Sequence, residues 1–306
     1  MIRKILLASA GAMALAGSAF AADLPSRAPP PVYVPPPPPP AWTGFYVGIN
    51  AGYEWAASKS VTTEGAPIFA NPAFPLGSSS IASALAIVGT TNLPVNQNGF
   101  IGGGQAGYNY QFASSWVVGL EADFQGVATS NNTSHGFSVI GVPNFPAESY
   151  TAGVSDNKKV DYLGTVRGRF GFLFTPTLLV FGDGGLAYGG INSSSSFIAS
   201  ESLGPATYPT VGGFGGISNT KVGWTAGGGV EWLFLPNWSA KVEYLYYDLG
   251  TASSNLLLTQ TNLAFAGAPW GTAGVHTSTR FNGNVVRVGL NYHFNWGAPA
   301  PVVAKY

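Results

Sequence analysis

Residues 284–294 read N-V-V-R-V-G-L-N-Y-H-F. Side chains of an extended strand alternate between two faces. Val286, Val288, Leu290, Tyr292 and Phe294 therefore share one face, and Val285, Arg287, Gly289, Asn291 and His293 share the other. One face is apolar and ends in aromatics; the other is mostly polar or small. The same pattern recurs about eight times along the chain, behind an export signal. Such repetition points to a strand-built membrane span with lipid on one side and a polar lumen on the other.

Composition supports that reading. Only 8% of the 306 residues are charged, against 42 glycines and 13% aromatics. A soluble domain carries about 25% charge. No cysteine is present, so an exported chain must be stabilised without disulfides. Met1–Ala21 reads as a secretory leader, with Arg3 and Lys4 before an apolar run and Ala19-Phe20-Ala21 as the cleavage site. Without the leader, 11 basic and 13 acidic residues remain, which gives no basic field for nucleic acid. No later run is long and apolar enough for a spanning helix. Ala22–Ala41, with Pro35–Pro40 unbroken, reads as a polyproline II arm on the periplasmic side. Residues 42–294 form the expected barrel and 295–306 a tail.

Strands are expected at Trp42–Trp55, Asn98–Phe112, Trp116–Gln125, Lys158–Phe174, Leu178–Ile191, Thr220–Phe234, Trp238–Leu249 and Asn284–Phe294. Three short turns alternate with four long polar connections, Ala56–Gln97, Gly126–Asn157, Asn192–Asn219 and Gly250–Gly283. That alternation is the mark of an all-β, eight-stranded, antiparallel, up-and-down transmembrane barrel with short periplasmic turns and long outer loops. Ten strands are the alternative, if part of Ala56–Gln97 pairs as an extra hairpin. Within that connection the apolar stretch Ser80–Val88 fits a short helix or a hairpin equally.

Strand parity places Glu54, Glu121, Asp123, Asp161, Asp183, Glu231 and Glu243 in the lumen with Arg167, Arg169, Lys221, Lys241 and Arg287. A cation facing mid-bilayer lipid costs about 2–4 kcal/mol, so the segregation has a physical cause. Eight strands leave an interior that side chains can fill. The inward charges are read as a paired, filled lumen; the alternative is a narrow pore for small solutes or ions. A surface lipid-modifying enzyme is a third reading, with His135 or His276 in the outer loops as base. No nucleophile–base motif supports it, and no catalytic residue is assigned. No His or Cys spacing or acidic loop suggests a metal, and no cofactor motif is present.

The segments W-T-G-F-Y-V-G-I-N-A-G-Y (42–53), G-G-G-Q-A-G-Y-N-Y-Q (102–111), W-V-V-G-L-E-A-D-F (116–124) and V-R-V-G-L-N-Y-H-F (286–294) resemble small alpha-proteobacterial outer-membrane proteins. These are the outer membrane immunogenic protein or porin family, whose barrel is like the transmembrane domain of OmpA. The resemblance covers Trp42–Phe294. It implies residence in the outer membrane, contact with its lipid and a structural or surface-antigen role; the Pro-rich arm and the outer loops are where periplasmic and host-surface contacts are expected. It also implies insertion by the outer-membrane assembly machinery, which reads a terminal aromatic. Phe294, with Tyr292 before it, matches that signal, although Asn295–Tyr306 follows it here.

Overall fold

The computed structural model describes residues 42–130, 133–203, 206–207, 210–262 and 268–294. The expected leader, Pro-rich arm and C-terminal tail lie outside the described residues.

Twelve strands and one helix are described: β1 (Gly44–Ala56), β2 (Ser60–Ala70), α1 (Pro75–Val88), β3 (Thr91–Pro94), β4 (Asn98–Phe112), β5 (Trp116–Ser130), β6 (Thr133–Val142), β7 (Phe145–Thr175), β8 (Leu178–Leu203), β9 (Ala206–Thr207), β10 (Val211–Leu235), β11 (Trp238–Asn262) and β12 (Ala268–Phe294). Eight of them close a ring in the order β1-β4-β5-β7-β8-β10-β11-β12, with β12 pairing back onto β1. Every ladder in the ring is antiparallel. Tight turns at residues 113–115, 176–177 and 236–237 join its strands at one end. The first places Ala113 and Ser114 at positive φ, 48° and 65°, the left-handed conformations that compact hairpin turns need.

The outer face of the ring is apolar. Ile49, Phe100, Leu120, Val166, Phe170, Val222, Trp232, Val242 and Val288 are all exposed to the surroundings. Aromatics pair across neighbouring strands toward the short-turn end, as with Trp116 on Phe170 and Trp238 on Tyr292. An outward apolar band with aromatic girdles is what hydrocarbon requires of a barrel wall.

The long connections differ from the expected outer loops: they are largely strand. β7 runs for 31 residues, β12 for 27 and β8 for 26, so five ring strands continue well past the hydrocarbon band. There β6 pairs β7, while β2 pairs β12 and β3 pairs β2. The helix α1 packs between these two sheet edges. It falls on the stretch that the sequence left open between helix and hairpin, and Ile81, Ala84, Leu85 and Val88 are buried. Outside hydrocarbon the outward face has no need to be apolar. Ser193-Ser194-Ser195-Ser196 thus reads as loop by composition, yet Ser193, Ser195, Phe197 and Ala199 alternate inward on β8.

Two bulges redirect side chains. On β7 the register with β8 shifts between Val160 and Tyr162. Parity inverts there. Val160, expected to face lipid, is fully buried in the lumen. Asp161, expected in the lumen, is 41% exposed and pairs with Lys159 at 2.5 Å on the outer surface. On β11 the register shifts between Asp248 and Thr251. Gly250 takes a left-handed φ of +78°, and its N–H donates to Asp248 Oδ1 at 2.9 Å.

The β7 bulge is testable because the native chain has no cysteine. Asp161→Cys should react on intact cells with a membrane-impermeant maleimide, whereas Thr165→Cys should stay protected. A shielded Asp161→Cys would mean that the strand runs without the inversion.

Candidate functional site: the filled lumen

Below the β7 bulge, β5, β7, β8, β10, β11 and β12 each turn one or two charged residues inward. Opposed registers bring these to one level: Glu121 faces Arg167, Glu231 faces Lys241 and Glu243 faces Arg287 across adjacent strands. Arg167 is the hub. Its Nη2 donates to Glu121 Oε1 at 2.5 Å and to Asp123 Oδ2 at 2.9 Å. Its Nη1 donates to Glu243 Oε1 at 2.8 Å and also to Asp183. Its Nε donates to Thr165 Oγ1 at 2.9 Å. The guanidinium carries five N–H donors in a planar fork, and this site engages all three nitrogens.

Three further cations complete the cluster. Lys241 Nζ donates to both oxygens of Glu121, at 2.7 and 2.9 Å. Arg287 reaches Glu243 at 2.6 Å and Asp123 at 2.8 Å. Arg169 reaches Glu231 at 2.6 Å and lies 3.8 Å from the centre of the Phe181 ring, a cation–π contact. All four cations are buried. The arrangement holds charge by mutual pairing and offers no open ligand set; among the described residues no group of His, Cys, Asp or Glu could hold a metal.

Three of the twelve expected lumen charges stand apart. Asp161 is outside, as described above. Lys221 stays partly exposed and donates to the Thr251 carbonyl at 3.1 Å, well removed from the cluster. Glu54 is buried, but it accepts from Gln97 at 3.2 Å and from Tyr247 at 3.0 Å and makes no ion pair. Sequence reasoning also passed over the neutral partners. Tyr46 donates to Glu121 Oε2 at 2.7 Å. Asn50, Gln105, Asn291 and Glu231 form a chain of hydrogen bonds. Strand parity puts Tyr46, Asn50, Gln105 and Asn291 on the inward face, but parity does not say which charge each will meet. Tyr46 also explains a glycine: a Cβ on Gly107 would lie 2.4 Å from the Tyr46 hydroxyl.

Apolar side chains close the lumen on both sides of this cluster. Trp42, Val117, Leu173, Leu179, Phe181 and Leu233 pack at the short-turn end. Trp42 is held by hydrogen bonds to Gln111 and to the Pro176 carbonyl, both 3.1 Å. Toward the other end lie Ile101, Val160, Leu163, Tyr247, Phe281 and their neighbours, and beyond them the core beneath α1.

One constellation invites a catalytic reading. Ser239 Oγ donates to Glu231 Oε1 at 2.5 Å and lies 2.9 Å from His293 Nε2. Glu231 Oε1 is 3.5 Å from that same nitrogen. A hydrolytic triad needs the carboxylate on the opposite ring nitrogen, where it orients the base. Ser239 is moreover fully buried. His135 and His276 sit on outward faces of β6 and β12, and His276 Nδ1 shares a hydrogen bond with Asn255.

A closed antiparallel ring with an apolar exterior and a charge-filled interior defines a transmembrane β-barrel of the outer-membrane type. The family model described as outer membrane protein beta-barrel domain matches residues 6–294. The chain belongs to that family and resides in the outer membrane. It is similar to the 31 kDa outer-membrane immunogenic protein of Brucella melitensis biotype 1, with 34% identity over 293 residues covering 96% of this chain and 100% of that protein. A 25 kDa outer-membrane immunogenic protein of Brucella canis is 23% identical over 294 residues, covering 96% and 99%. Among solved structures, neisserial surface protein A aligns with 13% identity and a TM-score of 0.32, over 82% of this chain and 98% of that one.

Truncating the hub should be costly, because removing one partner strands buried charges. Arg167→Ala is expected to lose about 3–5 kcal/mol of stability in denaturant unfolding of the lipid-refolded barrel. Lys221→Ala, at a site without the network, should stay within about 0.5 kcal/mol.

Proposed function

We propose that this protein is a sealed outer-membrane barrel whose role is structural and surface-presenting, with its outer half meeting the environment or a host. One observation carries the reading: four buried cations and five carboxylates interlock at mid-lumen around Arg167, with packed apolar side chains above and below. An ion path would need water where these side chains touch. The name that the relatives carry, outer-membrane immunogenic protein, is consistent with surface display. The Pro-rich segment 22–41 is read as a spacer arm toward the periplasm. Insertion by the assembly machinery is read from Tyr292 and Phe294 at the end of the ring-closing strand.

Planar-bilayer conductance of the refolded protein tests the seal. Wild type should be silent, and Arg167→Ala or Glu121→Ala should create current. Steady wild-type conductance, with ion selectivity altered by these substitutions, would make the protein a narrow pore instead. The assembly reading has its own test. Phe294→Ala should lower the fraction of heat-modifiable, folded barrel in outer membranes several-fold, with Phe174→Ala, another outward aromatic, having little effect.

A further inference from the structure

The outer half of the barrel buries acids that no cation pairs with. Asp156 on β7 is fully buried. No cation pairs with its carboxylate; the side chain directly across on β8 is Ser195, whose neutral hydroxyl is the one group that favours the charged form. Lys158 lies two residues along the same inward face, but its ammonium is engaged by the carbonyls of Ser58 at 2.8 Å and Arg280 at 2.5 Å. Glu201 on β8 is 3% exposed. It accepts from the Tyr150 hydroxyl at 3.1 Å, and the charge that acts on it is that of another acid, Glu148. The elements packed around them offer no relief. α1 has no charged residue and β3 has none; His135 on β6, Glu64 on β2 and His276 on β12 are on the outer surface, and the Arg280 side chain on β12 is turned outward and paired with Asp248. A buried carboxylate without a counterion prefers its neutral form.

We propose that the outer half is an acid-favoured cap: Asp156 and Glu201 hold a proton while the helix and its two flanking sheets are packed, and the cap opens more readily as they ionise. Burial raises the affinity of both groups for protons above the ordinary carboxylate range. The Ser195 hydroxyl opposes the effect at Asp156 and Tyr150 opposes it at Glu201, while Glu148 reinforces it there. The sign follows from linkage. An acid whose folded pKa is raised contributes stability that is complete below its unfolded value, about 4, and is lost as pH rises through the folded value. Lys158, displaced down to about 8 by burial, is charged in both states across the mildly acidic range and adds no slope there. The readout on α1 and β6 confines the dependence to the outer half, away from the charged cluster. It stands whether or not the lumen conducts.

Hydrogen exchange of the full-length protein in lipid nanodiscs tests this, read at pH 3.5, 5.5 and 7.5 and corrected for intrinsic rates. Opening of α1 and β6 should be at least about fivefold rarer at pH 3.5 than at pH 7.5, since one unit of displacement in a single group is worth about tenfold across the whole interval between its unfolded and folded values. In Asp156→Asn/Glu201→Gln, whose amides mimic the protonated acids, opening should be rare at every pH. Opening that ignores pH in the wild type, or a slope unchanged in the double variant, overturns the proposal. Infrared spectra of the wild type give a second readout should the double variant fail to fold. A protonated-carboxyl stretch present above pH 4.5 that weakens in Asp156→Asn or in Glu201→Gln alone supports the cap, and a stretch unchanged in both single variants overturns it.

Discussion

Hydrocarbon offers no hydrogen bonds, so a strand can cross a membrane only if both of its edges are paired. The ladder between β1 and β12 satisfies this condition for the whole ring, from Phe45 opposite Phe294 to Ala56 opposite Gly283. The other regularities follow from that closure. A closed sheet has an outside, which lipid requires to be apolar, and an inside too narrow to hold bulk water at eight strands. Charged residues on these strands therefore had one place to go, and once there they had to find each other. Arg167 can satisfy four carboxylates only because three strands on different sides of the ring, β5, β8 and β11, deliver them to its level.

Buried pairs of this kind contribute little net stability compared with well-packed apolar residues. Their value lies in register. Slipping a strand by one residue sends every inward side chain to lipid, and a slip of two would misplace Glu121, Asp123, Glu231 or Glu243 relative to its cation. The cluster thus penalises wrong pairings in a sheet whose many glycines specify register weakly.

The membrane half was legible in the sequence because lipid imposes a strict period of two. The eight strands, their short turns and the inward facing of eleven of the twelve expected lumen charges could be read from alternation alone. The misplacement of Asp161 has a definite origin: one extra residue at the Val160–Tyr162 bulge inverts parity, and nothing in V-D-Y-L-G announces it. Lys221 kept its inward parity but sits beyond the level of the cluster, and height along a tilted strand is invisible to a parity count. The outer half was misread for a different reason. Above the hydrocarbon, both faces can be polar, so Ser- and Thr-rich strands lose the contrast on which periodicity depends. Pairing of β6 with β7 and of β2 with β12 is decided by tertiary contacts that composition does not encode.

The unbroken passage of β7, β8 and β10 from the wall into the outer half fixes more than its packing. Phe137 on β6, Ile198 on β8 and Phe214 on β10 are all exposed there. The paired residues Phe137 and Gly153, Gly153 and Ile198, and Ile198 and Gly212 set them in nearly one row. Seventy-seven positions separate the first from the last along the chain. An antibody or receptor that grips this face therefore reads a discontinuous epitope, one that exists only in the folded barrel and that no linear peptide from the chain would reproduce.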